Sequence, residues 1–403
     1  MKDILTRITR YAYQTVPVYY NLAEASGINP DTVNFKDCPV VDKKCFTESG
    51  MSAISSKCIP EYMGGRLIWA RTSGSTGKCS QVFWRRTDYS NSLLKLWLLR
   101  KKYYDIRPDS RLVYFFPADD DEREYVLEKN CLAVSRSFLY NGTAEKIYSM
   151  LVSYEPEWMI LQPSLAVILC DCGEKYGKRP KTLKYIEFTG EYLDAEVHKR
   201  VEDVFQCKTA NQYGTKEVNS IAYECPCKKL HIMSENVYVE TLGDMPDEGE
   251  ICVTSLQNYA MPFIRFNLED RGKIVRNVSC ACGRTGDILE IKAGRSDDWI
   301  WLADGRRLHS YVLLQIIHRL NYVTEGVIKQ YQIVQKTHHS YDVFLVLEDD
   351  EFKEQIIDMI TGGFQVRLGR EILINFYIEE EILPSRITGK LASFVSECKR
   401  VNQ

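Results

Sequence analysis

At 403 residues the chain is long for a single ordinary core, which predicts two domains, one large and one small. Its 52 basic and 55 acidic side chains leave a net charge of −3, which offers no general attraction to nucleic acid or to anionic membranes and points to a small substrate. No apolar run approaches a membrane span, and the opening Met1-Lys2-Asp3-Ile4-Leu5-Thr6-Arg7 lacks the apolar core and cleavage site of a signal peptide. A cytoplasmic location is therefore expected, with the 14 cysteines reduced apart from one candidate metal site.

In chain order, Ile4 to Leu22 carries apolar residues at mixed helical spacing, and Pro17 should interrupt or begin a helix. Asn29-Pro30-Asp31 reads as a turn, and Pro39 to Lys43 as a short extended link. Next come Leu67-Ile68-Trp69, a loop, and the strand-like Gln81-Val82-Phe83-Trp84. Within the loop Thr72, Ser73, Ser75 and Thr76 supply hydroxyls, Gly74 and Gly77 leave backbone N–H groups open, and Lys78 adds a cation, which together suit a polyphosphate. The alternative is a flexible Gly/Ser tip of a β-hairpin. Spacing excludes a nucleotide-triphosphatase P-loop, because only Ser75 and Thr76 separate the glycines and Cys79 follows the lysine.

Tyr89 to Arg100 reads as a helix with Leu93, Leu94, Leu96 and Leu98 as its apolar residues, while Leu112 to Pro117 and Trp158 to Pro163 read as buried strands. Short apolar runs separated by helix-length segments predict an α/β fold with largely parallel strands, whose ligands sit at the carboxyl ends of those strands. Tyr185-Ile186-Glu187-Phe188 is a further strand leading into Thr189-Gly190-Glu191, after which Asp194 can cap a helix with Val197, Val201, Val204 and Phe205 on one face. The stretch Asn211-Gln212-Tyr213-Gly214-Thr215-Lys216-Glu217 follows. A tyrosine before a glycine can present a flat ring to a purine while the backbone turns tightly, and Glu217 can hold magnesium. A plain Gly turn with a surface glutamate is the alternative.

Val237 to Glu240 and Gly249 to Leu256 read as strands, and Asp270 closes the segment that starts at Met261. A carboxylate can accept from both hydroxyls of a ribose, or it can simply sit at a surface turn. Cys225 and His231 from one loop, with Cys280 and Cys282 from another, could form a closed tetrahedral zinc site with Cys227 to spare; reduced cysteines in turns are the alternative. Beyond them the order helix (from Val312), strand (Val327 to Val334), strand (Tyr341 to Leu347), helix (Phe352 to Ile360) and strand (Ile372 to Ile378) predicts a small α+β domain. Lys390, in Thr388-Gly389-Lys390, has the setting of an ordinary surface lysine.

Several of these stretches resemble, in the same order, the motifs of the adenylate-forming enzymes: Thr72 to Lys78, Tyr213 to Glu217, Met261 to Asp270, Gly294-Arg295-Ser296-Asp297-Asp298, and Thr388-Gly389-Lys390. The opening segment and the Cys…His…Cys-x-Cys layout resemble the phenylacetate-CoA ligase-like, or capsular-polysaccharide CapK-like, branch. The resemblance runs over essentially the whole chain and implies a large α/β adenylation domain, residues 1–293, and a mobile C-terminal lid, residues 294–403. It implies ATP-dependent activation of a small carboxylic acid to an acyl-adenylate, followed by transfer to CoA, a carrier-protein thiol or an amine, with neither nucleic acid nor membrane as partner.

By the same resemblance, Thr72, Ser73, Gly74, Ser75, Thr76, Gly77 and Lys78 hold the pyrophosphate. Gly190, Glu191, Gln212, Tyr213, Gly214, Thr215 and Arg295 contact the nucleotide, with Tyr213 stacked on adenine and Asp270 on the ribose. Glu217 binds magnesium, Asp297 is the pivot of the lid, and Lys390 stabilises the reacting oxygens. Cys225, His231, Cys280 and Cys282 hold a structural zinc. Two positions depart from the pattern. Lys216 stands where the phosphate-touching hydroxyl is usual, with Thr215 one residue early, so either of the two contacts the α-phosphate; Glu269 stands where Gly or Arg is usual. These departures leave a second reading, a catalytically degenerate nucleotide-binding scaffold, against which the retained Lys390 argues.

Overall fold

In the computed structural model the described residues are 2–47, 49–71, 81–116, 124–135, 143–193, 195–295, 299–303, 307–310, 313–314, 316–317, 320, 324, 327–349, 351–383 and 392–398. Helix α1 (Lys2–Thr15) buries Leu5, Ile8, Ala12 and Tyr13. Helix α2 (Pro17–Ser26) begins at Pro17, whose fixed φ suits a first helical turn and whose missing N–H costs nothing there. It ends at Gly27, which takes the left-handed conformation (φ 64°) and caps the carbonyls of Ala23 and Glu24. The extended link then docks by a bridge between Val41 and Phe266.

Strands β1 (Ile68–Arg71) and β2 (Gln81–Trp84) form an antiparallel hairpin of their own. The segment between them includes Thr72 to Lys78, which lie outside the described residues. The chain divides into two units, 1–292 and 293–403. In the first, β3 (Leu112–Phe116), β4 (Tyr125–Glu128), β5 (Cys131–Ser135), β6 (Trp158–Leu161), β7 (Tyr185–Thr189) and β8 (Lys208–Thr215) make half of a twelve-stranded sheet, in the order β4-β5-β3-β6-β7-β8. All pairs in this half are parallel except the edge pair β4-β5. The sheet continues from β8 through β9 (Asn219–Glu224) and β10 (Leu230–Ile232), and then through β14 (Thr285–Arg295), β13 (Phe266–Ser279), β12 (Glu248–Ser255) and β11 (Val237–Met245).

This second half corrects the expectation of largely parallel strands, since β8-β9, β9-β10, β10-β14, β11-β12 and β12-β13 are antiparallel. The reason is connection length. Parallel neighbours need long crossovers, whereas Lys216 to Val218 between β8 and β9, and Pro246-Asp247 between β11 and β12, are hairpin turns that only antiparallel strands accept.

Helix α3 (Arg86–Tyr104) covers one face of the parallel half with Leu96, Leu99 and Tyr104 against Trp158, Tyr185 and Ala210. Helices α4 (Ala144–Tyr154), α5 (Pro163–Tyr176) and α6 (Ala195–Phe205) cover the other, packing Ile147, Leu151, Leu165, Leu169 and Val201 on Met159, Ile186 and Phe188. Successive residues of β6 and β7 thus point to opposite cores, as a strand requires. Glu187 points with Tyr185 toward α3 and would be an uncompensated buried charge there. Arg100 answers it with two bonds, Nη2 to Oε1 at 2.5 Å and Nε to Oε2 at 2.9 Å. Asp194, the expected cap of α6, lies outside the described residues.

The second unit has a short hairpin, β15 (Trp299–Trp301) with β16 (Arg307–His309). It also holds β17 (Ile328–Thr337), β18 (Ser340–Leu347), helix α7 (Lys353–Leu368), β19 (Leu373–Ile378) and β20 (Phe394–Ser396), the strands ordered β19-β18-β17-β20. Ile333, Tyr341, Val343 and Leu345 pack on Ile356, Ile360 and Phe364 of α7, with Leu313, Ile317 and Leu320 joining them, so this unit has its own core. Among the described residues no helix is long and apolar enough to cross a membrane.

Candidate nucleotide site and metal centre

Strands β7 and β8 run parallel; β7 ends at Thr189, opposite Gln212, and β8 continues to Thr215. Thr189 Oγ1 donates to Gln212 Oε1 at 2.8 Å, and Gly190 turns the chain away at φ 82°, a conformation glycine adopts without a steric penalty. Gly190, Glu191, Gln212 and Tyr213 are thereby collected at the carboxyl ends of these strands, the usual ligand-binding edge of a parallel sheet.

The expected tight turn at Tyr213-Gly214 is not there. Both residues are inside β8, and the chain turns later, at Lys216 to Val218, with Asn219 in the left-handed region (φ 60°) that closes a three-residue hairpin loop. Gly214 is required for a different reason: a Cβ there would lie 2.2 Å from the carbonyl oxygen of Asn219 on the neighbouring strand. At the hairpin tip the Lys216 side chain is exposed and its carbonyl accepts from Trp84 Nε1 at 3.1 Å. Thr215 Oγ1 is buried without a hydrogen-bond partner among the described residues. Glu217 is 8% exposed, and no described residue pairs with its carboxylate. Its carboxylate oxygens are not among the buried unpaired atoms, so a cation from solvent can reach Glu217.

Asp270 is aimed by an irregularity in β13. Glu250 faces Arg271 and Cys252 faces Asn267, so Leu268, Glu269 and Asp270 together stand opposite Ile251. Such bulges re-aim side chains beside sites. Glu269 takes φ 63°, and its N–H is held by Asn267 Oδ1 at 2.9 Å, which explains why a glycine would be at ease here and what lets a glutamate replace it. Tyr213 OH donates to Asp270 Oδ2 at 2.6 Å, although β9, β10 and β14 separate their strands in the sheet. The sheet must curl to bring the two together.

The ligand atoms of Cys225, His231, Cys280 and Cys282 all lie within 4.8 Å of one another. Cys225 Sγ is 3.8 Å from Cys280 Sγ, and Cys282 Sγ is 3.6 Å from His231 Nε2. A tetrahedral zinc with Zn–S of about 2.3 Å and Zn–N of about 2.0 Å requires edges of about 3.8 Å and 3.5 Å, so the donor set fits that ion. Burial, with the nearby Arg284 charge, pushes His231 down to about 4, which keeps the ring neutral and its nitrogen free to coordinate. Burial pushes the Cys225 thiol up to about 12, whereas the backbone N–H of Cys282 leads the groups that lower Cys280.

Two matching turns present the sulfurs. Cys225 N donates to Lys229 O at 2.9 Å and Lys228 N to Cys225 O at 2.8 Å; Cys280 N donates to Arg284 O at 2.9 Å and Gly283 N to Cys280 O at 2.9 Å. The fourth residue of each is left-handed, Lys228 at φ 57° and Gly283 at φ 83°. Two residues absent from the sequence-based site tie this centre to β8. Glu224 Oε2 accepts from Asn211 N at 2.9 Å and lies 3.0 Å from His198 Nε2.

No protein-family model matches the chain. In sequence it is 23% identical to the phenylacetate-coenzyme A ligase of Thermus thermophilus, covering 99% of this chain and 90% of that protein. It is 26% identical to the Pseudomonas putida protein of the same name, over 72% of this chain and 69% of that one. The structure of a 2-hydroxyisobutyryl-CoA ligase in the postadenylation state with R3-HIB-AMP matches 98% of this chain and 88% of its own, with a TM-score of 0.73 and 16% identity. The fold is that of the adenylate-forming ligases. Within the chain the structure brings together Tyr213 with Asp270, and Gly190 and Glu191 with Gln212. It also places Thr215, Lys216 and Glu217 on one hairpin, and Cys225, His231, Cys280 and Cys282 in one cluster. Arg295 closes β14, where only its backbone is described. Thr72 to Lys78, Asp297 and Lys390 lie outside the described residues.

Proposed function

We propose that the protein uses ATP to activate a carboxylic acid as an acyl-adenylate, releasing pyrophosphate, and then transfers the acyl group to the thiol of CoA. The observation that carries this reading is the Tyr213–Asp270 contact, a flat ring and a carboxylate joined beside the hairpin that holds the unpaired Glu217 and Thr215. A carboxylate oxygen of the acid attacks the α-phosphorus and the bond to the pyrophosphate oxygen breaks. Tyr213 offers its face to adenine and Asp270 accepts from the ribose hydroxyls, while Gly190, Glu191, Gln212 and Arg295 border the nucleotide. Thr215, whose hydroxyl has no described partner, is the better candidate than exposed Lys216 for the α-phosphate. Glu217 would hold the magnesium that screens the phosphate charge, Thr72 to Lys78 the pyrophosphate, and Lys390 the reacting oxygens. Zinc on Cys225, His231, Cys280 and Cys282 would be structural, since all four positions are protein ligands. Residues 1–292 would be the adenylation domain and 293–403 the lid. A cytoplasmic setting suits ATP, CoA and the described cysteines, all of which are free thiols.

Similarity to proteins named phenylacetate-coenzyme A ligase and to a ligase structure solved with an acyl-AMP supports this chemistry. Against the scaffold reading stand Thr215, whose hydroxyl is available in place of Lys216, and Asn267, which holds the backbone N–H of Glu269. ATP–pyrophosphate exchange across aryl, fatty, hydroxy and amino acids, followed by CoA-thioester formation, tests it. Exchange that depends on one class of acid is expected. ATP raising the melting temperature with no exchange for any acid would overturn the enzyme reading in favour of the scaffold.

Asp270→Ala is expected to weaken ATP binding by ~10–100-fold, corresponding to loss of ~1.5–3 kcal/mol of hydrogen bonding to a charged acceptor. Tyr213→Phe keeps the ring and removes only the hydroxyl, so it should cost ~10-fold at most. Titration calorimetry with ATP distinguishes the two; equal losses would mean that Asp270 acts only by holding Tyr213.

A further inference from the structure

We infer that Trp84 and Ser92 are positioning residues that hold the Lys216 to Val218 loop from two sides and so set where the Glu217 carboxylate is offered to magnesium. The inference rests on the adenylation reading proposed above. Glu217 is the middle residue of this hairpin loop, and the β8–β9 ladder ends below it at the Thr215–Asn219 pair. Ladder bonds therefore fix the stem and leave the loop's own peptide groups to find partners elsewhere. Two side chains from outside the hairpin act on it. Trp84 Nε1 donates to the Lys216 carbonyl at 3.1 Å. That oxygen lies in the same planar unit as the N–H and Cα of Glu217, so an indole that holds the carbonyl also restrains the backbone from which the Glu217 side chain leaves. At the other end of the loop Asn219 Nδ2 donates to Ser92 Oγ at 2.6 Å, and Ser92 Oγ donates to the Tyr89 carbonyl at 2.7 Å within α3.

Both anchors are buried. Trp84 packs with Val82, Val218 and Ile221, its ring edge-on to Tyr89 with centres 5.9 Å apart, and Ser92 is shut off from solvent. Neither belongs to the twelve-stranded sheet that carries the loop. Trp84 ends β2, the strand that follows the segment proposed to hold pyrophosphate, so its bond ties the Glu217 loop to that strand. Ser92 adds a second tie, to α3. Misplacing a binding group by ~1 Å can cost ~100-fold in rate, which is the scale on which two such bonds matter. A purely structural role for the same side chains predicts lower stability and no change in the response to magnesium.

The test compares the full chain with three variants. Trp84→Phe keeps an aromatic ring and removes the N–H, Ser92→Ala removes one hydroxyl, and Val82→Ala is a packing change on the same strand. Melting temperature, ATP affinity with and without magnesium by titration calorimetry, and kcat of ATP–pyrophosphate exchange are measured. Wild type should gain ATP affinity from magnesium, and that gain should shrink by ~3–10-fold in Trp84→Phe and in Ser92→Ala, with kcat lower by ~10–100-fold in Trp84→Phe. ATP affinity without magnesium should stay within ~3-fold, because Tyr213 and Asp270 lie outside the loop. Val82→Ala should melt lower yet keep the wild-type gain and kcat. Either Trp84→Phe or Ser92→Ala at the wild-type gain, or Val82→Ala losing as much as they do, overturns the positioning role and leaves the adenylation reading intact. If Trp84→Phe does not fold, Ser92→Ala decides by the same criterion. A wild type that gains no affinity from magnesium overturns the inference together with the magnesium role of Glu217, and one that also exchanges with no acid overturns adenylation itself.

Discussion

Arg100→Ala is expected to destabilise the larger unit by ~3–5 kcal/mol, the cost of leaving one member of a buried ion pair without its partner. The side chains of Arg100 and Glu187 are 8% and 2% exposed, so bulk solvent does not screen the pair. That group lies 4.7 Å from the Trp97 ring centre and 4.8 Å from that of Trp158, and both contacts vanish with it. Tyr185 OH still donates to Glu187 Oε2 at 2.5 Å, but one hydroxyl cannot neutralise a carboxylate. For a unit of this size the melting temperature should fall by ~10 °C, read by differential scanning calorimetry. Arg100→Met combined with Glu187→Leu should recover much of the loss, since it removes both charges and keeps their volume. A single Arg100→Ala melting within ~2 °C of wild type would contradict the pair's structural role.

Glu187 also shows what a sequence does and does not disclose. Tyr185-Ile186-Glu187-Phe188 reads as a buried strand, and a glutamate inside such a run demands a partner. Arg100 belongs to a helix that is equally legible, yet only the packing of α3 on β7 joins the two. The antiparallel half of the sheet was readable in principle, because Pro246-Asp247 is a turn signal between two strand-like runs. Strand β4 was not, since Tyr125 to Glu128 is a short edge strand with little burial and no strong alternation. Helices α4 and α5 carry their apolar residues within segments that separate the obvious strands; Pro163 at the first turn of α5 was the available signal.

In the site, legibility follows chemistry. Cysteine and histidine have few roles, so two Cys-x-Cys turns and a nearby histidine were enough to nominate the cluster that the structure assembles. The turn at Tyr213-Gly214 was misplaced, because a glycine required by a close neighbouring strand looks the same in sequence as one required by a bend. The Tyr213–Asp270 contact depends on a bulge and on the curl of three intervening strands, neither of which leaves a local pattern. His198 and Glu224, which tie the Cys225 turn to β8, are individually ordinary polar residues and carry no motif.

Lys390→Ala is expected to slow acid-dependent ATP–pyrophosphate exchange by ~10²–10³-fold, the usual effect of removing one positioned group that stabilises charge as it develops. In the proposed reaction the attacking carboxylate oxygen gives up negative charge, which passes to the α-phosphate oxygens and the leaving pyrophosphate as the bond to it breaks, and a lysine beside those reacting oxygens acts chiefly in the transition state. The loss should therefore appear in kcat, with the KM for ATP and the ATP-induced rise in melting temperature little changed. Lys78→Ala makes the contrast. A lysine that holds the leaving phosphates is engaged before and during the reaction, so its removal should raise the KM for ATP as well as lower kcat. Supplied with preformed acyl-adenylate, Lys390→Ala should still make the CoA thioester at close to the wild-type rate, because the phosphoryl chemistry is already complete. Exchange by Lys390→Ala at half the wild-type rate or more would remove Lys390 from the adenylation step, while leaving Tyr213, Asp270 and Glu217 as the nucleotide and metal ligands to be tested by ATP titration.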